Sequence, residues 1–111
     1  MQRDKKLDHS LDVKRPLTIR ALRRSVIRKN IAEYLFDISP SYSYTSEIAY
    51  HVRATSSNVI GALRGMKTRY REDESLLALN LVEEKSGGKN IKLYKLTDFG
   101  KEIVESLNNR R

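Results

Sequence analysis

Cysteine and tryptophan are both missing from this chain. Without thiols there can be no disulfide framework, thiolate metal cluster or cysteine nucleophile, and such usage fits a reducing intracellular compartment. Long apolar runs are missing too. A secretory signal needs an apolar central stretch and a bilayer span needs about 20 apolar residues, whereas the opening MQRDKKLDHS is charged throughout. The expectation is a cytoplasmic protein with no membrane association. At 111 residues there is room for one small domain and none for a separate sensor. Such a domain buries roughly two-thirds of the surface its unfolded chain would expose, enough for one modest core.

Catalytic patterns are equally scarce. His9 and His51 stand 42 residues apart, with no carboxylate or second histidine at ligand spacing on the same helix face. Gly-rich phosphate loops, serine elbows and paired-carboxylate motifs are not found. The expectation is no enzyme activity, no metal and no cofactor, with His51 a surface group. The six tyrosines read as rim and core packing, since stacking on unpaired bases would need several on one open sheet.

Positive charge is what the chain has in excess. Lys and Arg number 22 against 14 Asp and Glu, a formal net charge of +8, and a surplus of this size in a small domain favours polyanions, most often nucleic acid. It is unevenly placed. The first 30 residues hold ten basic groups against Asp4, Asp8 and Asp12, and the rest is nearly balanced. Residues 1–24 therefore read as a basic N-terminal arm, with Leu7, Leu11 and Leu17 as docking points; a merely solvated tail is the plain alternative.

Beyond the arm the apolar spacing organises residues 25–107, and 108–111 are a short tail. Ile27, Ile31, Leu35 and Ile38 recur at three- and four-residue steps, the pattern of a helix with one buried stripe that stops at Ser39-Pro40. Thr45 is a candidate N-cap for a helix over 46–53, and Thr55-Ser56 for another carrying Val59, Leu63 and Met66. Segment 67–75 fits either a loop or a helical extension. A helical turn then ends near Asn80, a residue that tolerates left-handed backbone. Strands 81–85 and 91–96 flank Gly87-Gly88, a hairpin signal because paired glycines take the positive φ of tight turns. Thr97 caps a last helix bearing Phe99, Ile103 and Leu107. No repeat or low-complexity segment appears.

Taken in order, three stretches resemble the winged helix-turn-helix fold of small archaeal transcriptional regulators of the MarR-like and PadR-like kind. They are Tyr44-Thr45-Ser46-Glu47-Ile48-Ala49, the run from Leu76 to Glu83, and Tyr94-Lys95-Leu96-Thr97-Asp98-Phe99-Gly100. The last is the most specific, a Y-x-L-T-x-x-G junction between wing and closing helix. The resemblance implies an α+β, mostly α, domain with a three-helix core, a two-stranded hairpin wing and a C-terminal helix. It departs in the helix-turn-helix bend, where Arg53-Ala54-Thr55 supplies no glycine.

That likeness implies a sequence-specific, double-stranded DNA-binding transcriptional regulator, with helix 56–66 in the major groove and the wing, about 85–92, on the backbone or minor groove. On a helical wheel Val59, Leu63 and Met66 face inward, while Ser57, Gly61 and Arg64 face out with Asn58 at the edge. An exposed mid-helix glycine costs roughly 1 kcal/mol against alanine, so Gly61 suggests close approach to a surface. Ser57, Asn58, Gly61 and Arg64 are thus the base-contact candidates. Thr45, Ser56, Lys67, Arg69, Arg71, Lys85, Lys89 and Lys92 are the backbone-contact candidates. A single module reads few base pairs, so a two-fold homodimer is expected, joined through Val104 and the arm leucines. The alternatives are a protein-docking module of a transcription or replication assembly and a non-specific DNA coat.

Overall fold

The computed structural model describes residues 15–66 and 72–109. The order is α1 (residues 15–23), α2 (Val26–Ile38), β1 (Ser43–Tyr44), α3 (Thr45–Val52), α4 (Ser56–Arg64), a 3-10 turn (Glu72–Glu74), β2 (Val82–Ser86), β3 (Lys92–Leu96) and α5 (Asp98–Asn109). The architecture is α+β and mostly helical, with an antiparallel three-stranded sheet in the order β1-β3-β2.

The arm expected over 1–24 is corrected in its second half. Residues 15–23 are helical, and Thr18, Ile19, Ala21 and Leu22 are buried. The arginines between them obscured an apolar stripe that helical spacing gathers on one side. Arg28, counted with the basic surplus, is buried as well. Its guanidinium lies 3.8 Å from Glu74, which also pairs with Arg24, so the 3-10 turn is tied to α1 and α2. Leu7 and Leu11 lie outside the described residues.

Helix α2 starts where Ser25 Oγ accepts the Arg28 N–H at 3.2 Å, and buries Ile31, Ala32 and Leu35. It ends at Ser39-Pro40 as the proline predicts. Thr45 is the first residue of α3 rather than its cap, because Tyr44 at the cap position belongs to β1 and pairs with Leu93. Ser43 supports the junction from the side, donating to the Glu47 carboxylate at 2.6 Å. Arg53 ends α3 at φ 59, ψ 50, the left-handed conformation that the turn demands and a glycine would adopt without strain.

The hairpin is found, shifted by one residue at each strand start, and β1 adds a third strand. Strand alternation turns Val82, Glu84, Tyr94 and Leu96 to the inner face and Glu83, Lys85 and Lys95 to the outer. The inner side meets a core built around Leu22, Ile31, Leu35, Ile48, Leu63 and Ile103. Between α4 and β2, Asn80 has φ 62, as its left-handed tolerance suggested. Val104, expected at a subunit contact, is consumed by the domain's own core, since α5 packs against both α2 and β3. Leu17 is exposed.

Candidate nucleic-acid interface

Thr55 Oγ1 accepts the Asn58 N–H at 3.1 Å and starts α4. At its other end Gly65, at φ 92, donates to the Gly61 carbonyl at 2.8 Å. The Ala62 and Leu63 carbonyls accept from Leu76 and Leu77, each at 3.0 Å, so the turn that leads to β2 is docked on the end of α4. A helix of nine residues is marginal alone; here both ends are satisfied and Val59, Ala62 and Leu63 are fully buried.

The exposed side of α4 is Ser56, Ser57, Ile60 and Arg64. This corrects one base-contact candidate. Gly61 is buried, because α4 is flanked by α2 and α3 and its buried arc extends past the Val59–Leu63 stripe. The place on the open side that the wheel assigned to glycine is taken by Ile60, which is 41% exposed. Ser57 is exposed and Asn58 half-buried. Met66, expected on the core face, is half-buried beyond the end of the helix.

Arg64 is exposed but engaged: its Nε lies 3.7 Å from the Glu84 carboxylate of β2. Glu84 in turn sits beside Tyr94. Burial, and then that neighbouring carboxylate, push the Tyr94 phenol up to about 12, a shift the Arg64 charge partly opposes.

Among the expected backbone contacts, Ser56 is exposed at the start of α4 and Thr45 half-buried at the start of α3. Lys89 and Lys92 are exposed around the hairpin turn, where Gly88 takes φ 125. Lys85 projects from the outer face of the sheet, its Nζ 4.1 Å from the Tyr42 ring centre; Lys95 approaches the same ring at 5.0 Å, and the Tyr42 hydroxyl donates to Glu83 at 3.2 Å. Lys67, Arg69 and Arg71 lie outside the described residues.

Sequence reasoning missed the apolar part of the surface. Tyr50 on α3 is 80% exposed, and Ile60 and Tyr44 are also open. His51 is exposed, stacked on Tyr34 at 4.7 Å and met edge-on by Tyr50 at 5.3 Å. Among the described residues no group of His, Asp and Glu could hold a metal ion, and no helix is long and apolar enough to cross a membrane.

These features define a small α+β domain that presents one polar-edged helix face beside a basic hairpin. A family model described as EarA-like matches residues 18–107, a span that starts within α1 and takes in every later element to Leu107. The chain is 48% identical over 94 residues to an uncharacterized protein of Methanocaldococcus jannaschii, covering 83% of this chain and 82% of the relative. The chain belongs to the EarA-like family. The archaeal kinship implied by the resemblance is thereby shown. No solved structure matches the chain.

Proposed function

We propose that this protein is a winged helix-turn-helix transcriptional regulator that binds double-stranded DNA in a sequence-specific way. In this reading α2, α3 and α4 are the three-helix core, β2 and β3 the wing, and α5 the closing helix. The observation that carries it is the open side of α4: Ser57, Ile60 and Arg64 share one exposed stripe on a helix whose opposite side is locked into the core. A helix so presented can enter a major groove, with hydroxyl, methyl and guanidinium groups against base edges. Asn58 stands at the margin of that stripe. The exposed Lys89 and Lys92 of the hairpin, with Ser56 at the helix start, then meet phosphates. A two-fold dimer would place two such helices about one DNA turn apart.

Selection of duplexes from a random pool, followed by titration of the selected site at increasing salt, tests the proposal. A recurring motif and a log–log salt slope of several units are expected. Enrichment of no motif, with equal binding of all duplexes, would leave only a non-specific DNA coat. Tyr50, exposed beside His51, favours a second reading in which the same domain docks another protein. Absence of salt-dependent duplex binding would favour that reading.

A further inference from the structure

Glu83 and Glu84 are adjacent and alike, yet the pleat separates their fates. Glu83 faces outward and accepts from Tyr42. Glu84 faces inward, paired across the sheet with Tyr94 and on the same side as the buried Val82 and Leu96. An inner-face position of this kind calls for an apolar side chain. The Glu84 side chain is 22% exposed; its carboxylate lies beside the Tyr94 phenol, and its buried Oε2 has no hydrogen-bond partner of its own. Leaving such an atom unsatisfied costs stability, and an apolar residue of similar volume is often as good or better at a half-buried ionic position. Filling the inner face of the sheet therefore does not by itself call for a carboxylate at Glu84.

Its charge partner does. Arg64 reaches back from the exposed side of α4, and its Nε edge is the one near Glu84, at 3.7 Å. A guanidinium is planar and offers five N–H donors. With the guanidinium held between the Glu84 carboxylate and the Tyr94 phenol, the N–H groups on its outer edge are left for a second partner. We infer that Glu84 is a positioning residue that orients Arg64 to present these N–H groups to a base edge carrying two acceptors, which in duplex DNA is the O6 and N7 edge of guanine. The inference rests on the DNA-binding reading above and deepens it: α4 and β2 act together, and the domain demands guanine at the position facing Arg64. Without Glu84 the arginine still attracts DNA but samples phosphates and other bases equally, since a flexible cation carries little sequence information.

The experiment measures Kd for the duplex selected by the wild type and for the same duplex with each G·C pair changed to A·T in turn. Wild type, Arg64→Ala, Glu84→Gln, Glu84→Leu and the Arg64→Ala/Glu84→Gln double variant are compared. The wild type is expected to show one position where the change costs about tenfold or more and where Arg64→Ala abolishes the preference. Glu84→Gln and Glu84→Leu should reduce that preference severalfold, leave the preferences at the other positions unaltered, and have no effect on the ratio in the Arg64→Ala background. The Leu variant is expected to pack beside Tyr94 on the inner face without charge, and a cooperative melt verifies that each variant is folded before its affinities are compared.

A Glu84 effect that multiplies every duplex affinity by one factor would overturn the inference, because that is the removal of a negative charge and nothing more. So would a shift in the ratio that persists without Arg64. If the wild type selects a site and Arg64→Ala keeps all its preferences, the DNA reading stands and this one fails. If the wild type selects nothing, the DNA reading itself has failed and this one falls with it.

Discussion

Gly100 approaches Leu81 so closely that a Cβ placed on it would lie 2.3 Å from the Leu81 carbonyl oxygen. The same carbonyl accepts the Thr97 N–H at 3.0 Å, while the Thr97 hydroxyl donates to the Asn80 carbonyl at 2.6 Å and accepts the Gly100 N–H at 2.9 Å. One threonine thus caps α5 and ties it to the turn that precedes β2, and one glycine lets the two backbones meet. The Y-x-L-T-x-x-G motif is explained as a joint of the fold: Tyr94 and Leu96 fill the core and Thr97 and Gly100 make the junction.

Gly100→Ala should therefore be among the more damaging single-methyl changes in the chain. The added carbon meets backbone, which cannot rotate away, so α5 has to shift and its cap bond with it. We expect a loss of about 3 kcal/mol, seen as a fall of roughly 10 °C or more in Tm by calorimetry or circular dichroism. A Tm within two or three degrees of wild type would show that α5 has room to move.

Arg53 carries the opposite prospect. It holds φ 59 at the bend between α3 and α4, a conformation that costs an L-residue on the order of 1 kcal/mol and glycine almost nothing. Arg53→Gly should stabilise by no more than about 0.5 kcal/mol after the extra freedom of the unfolded glycine is counted. Arg53→Val should destabilise by at least as much, because a branched Cβ fits left-handed backbone worst. Chemical denaturation of both variants checks the pair; a stabilising valine would refute the argument.

Tyr94 makes stability depend on alkaline pH. Its phenol is raised from 10 to about 12 in the folded protein, chiefly by burial and then by the Glu84 carboxylate. The proton is therefore released more readily by the unfolded chain. Its contribution is fully present below about pH 10 and is lost as pH rises through 12, amounting to about 2–3 kcal/mol at most. Denaturant midpoints measured across this window should fall for the wild type and fall less for Tyr94→Phe. Parallel curves would show that other groups govern alkaline unfolding.

Much of this fold is legible in the sequence because it is local. The three- and four-residue apolar steps of α2, α4 and α5, the glycine pair of the hairpin, the left-handed Asn80 and the Thr97 cap each depend on a few neighbouring residues. What could not be read is set by distant partners. Strand β1 has two residues and exists only by pairing with β3. Helix α1 buries its stripe because a core is there to receive it, and the arginines around that stripe dominate its composition. Gly61 is buried on a helix packed against α2 and α3, neighbours that a wheel drawn on α4 alone does not contain. The Arg64–Glu84 pair bridges 20 residues of chain, and no local pattern announces it.

Ile60 offers a test of the open side of α4 that does not involve charge. It lies between Ser57 and Arg64 and is 41% exposed, so its truncation leaves little cavity. Ile60→Ala is expected to change stability by no more than about 0.5–1 kcal/mol. A single half-open apolar side chain needs no function of its own. In a major groove its methyl groups meet the C5-methyl of thymine, the one apolar feature of a base edge. Ile60→Ala should then weaken discrimination at one T·A pair of the selected site severalfold, leaving the salt slope and the guanine preference at Arg64 in place. Measured on single-substituted duplexes, an unchanged profile would place Ile60 outside the interface, and an equal loss on every duplex would indicate a shift of α4 instead of a lost base contact.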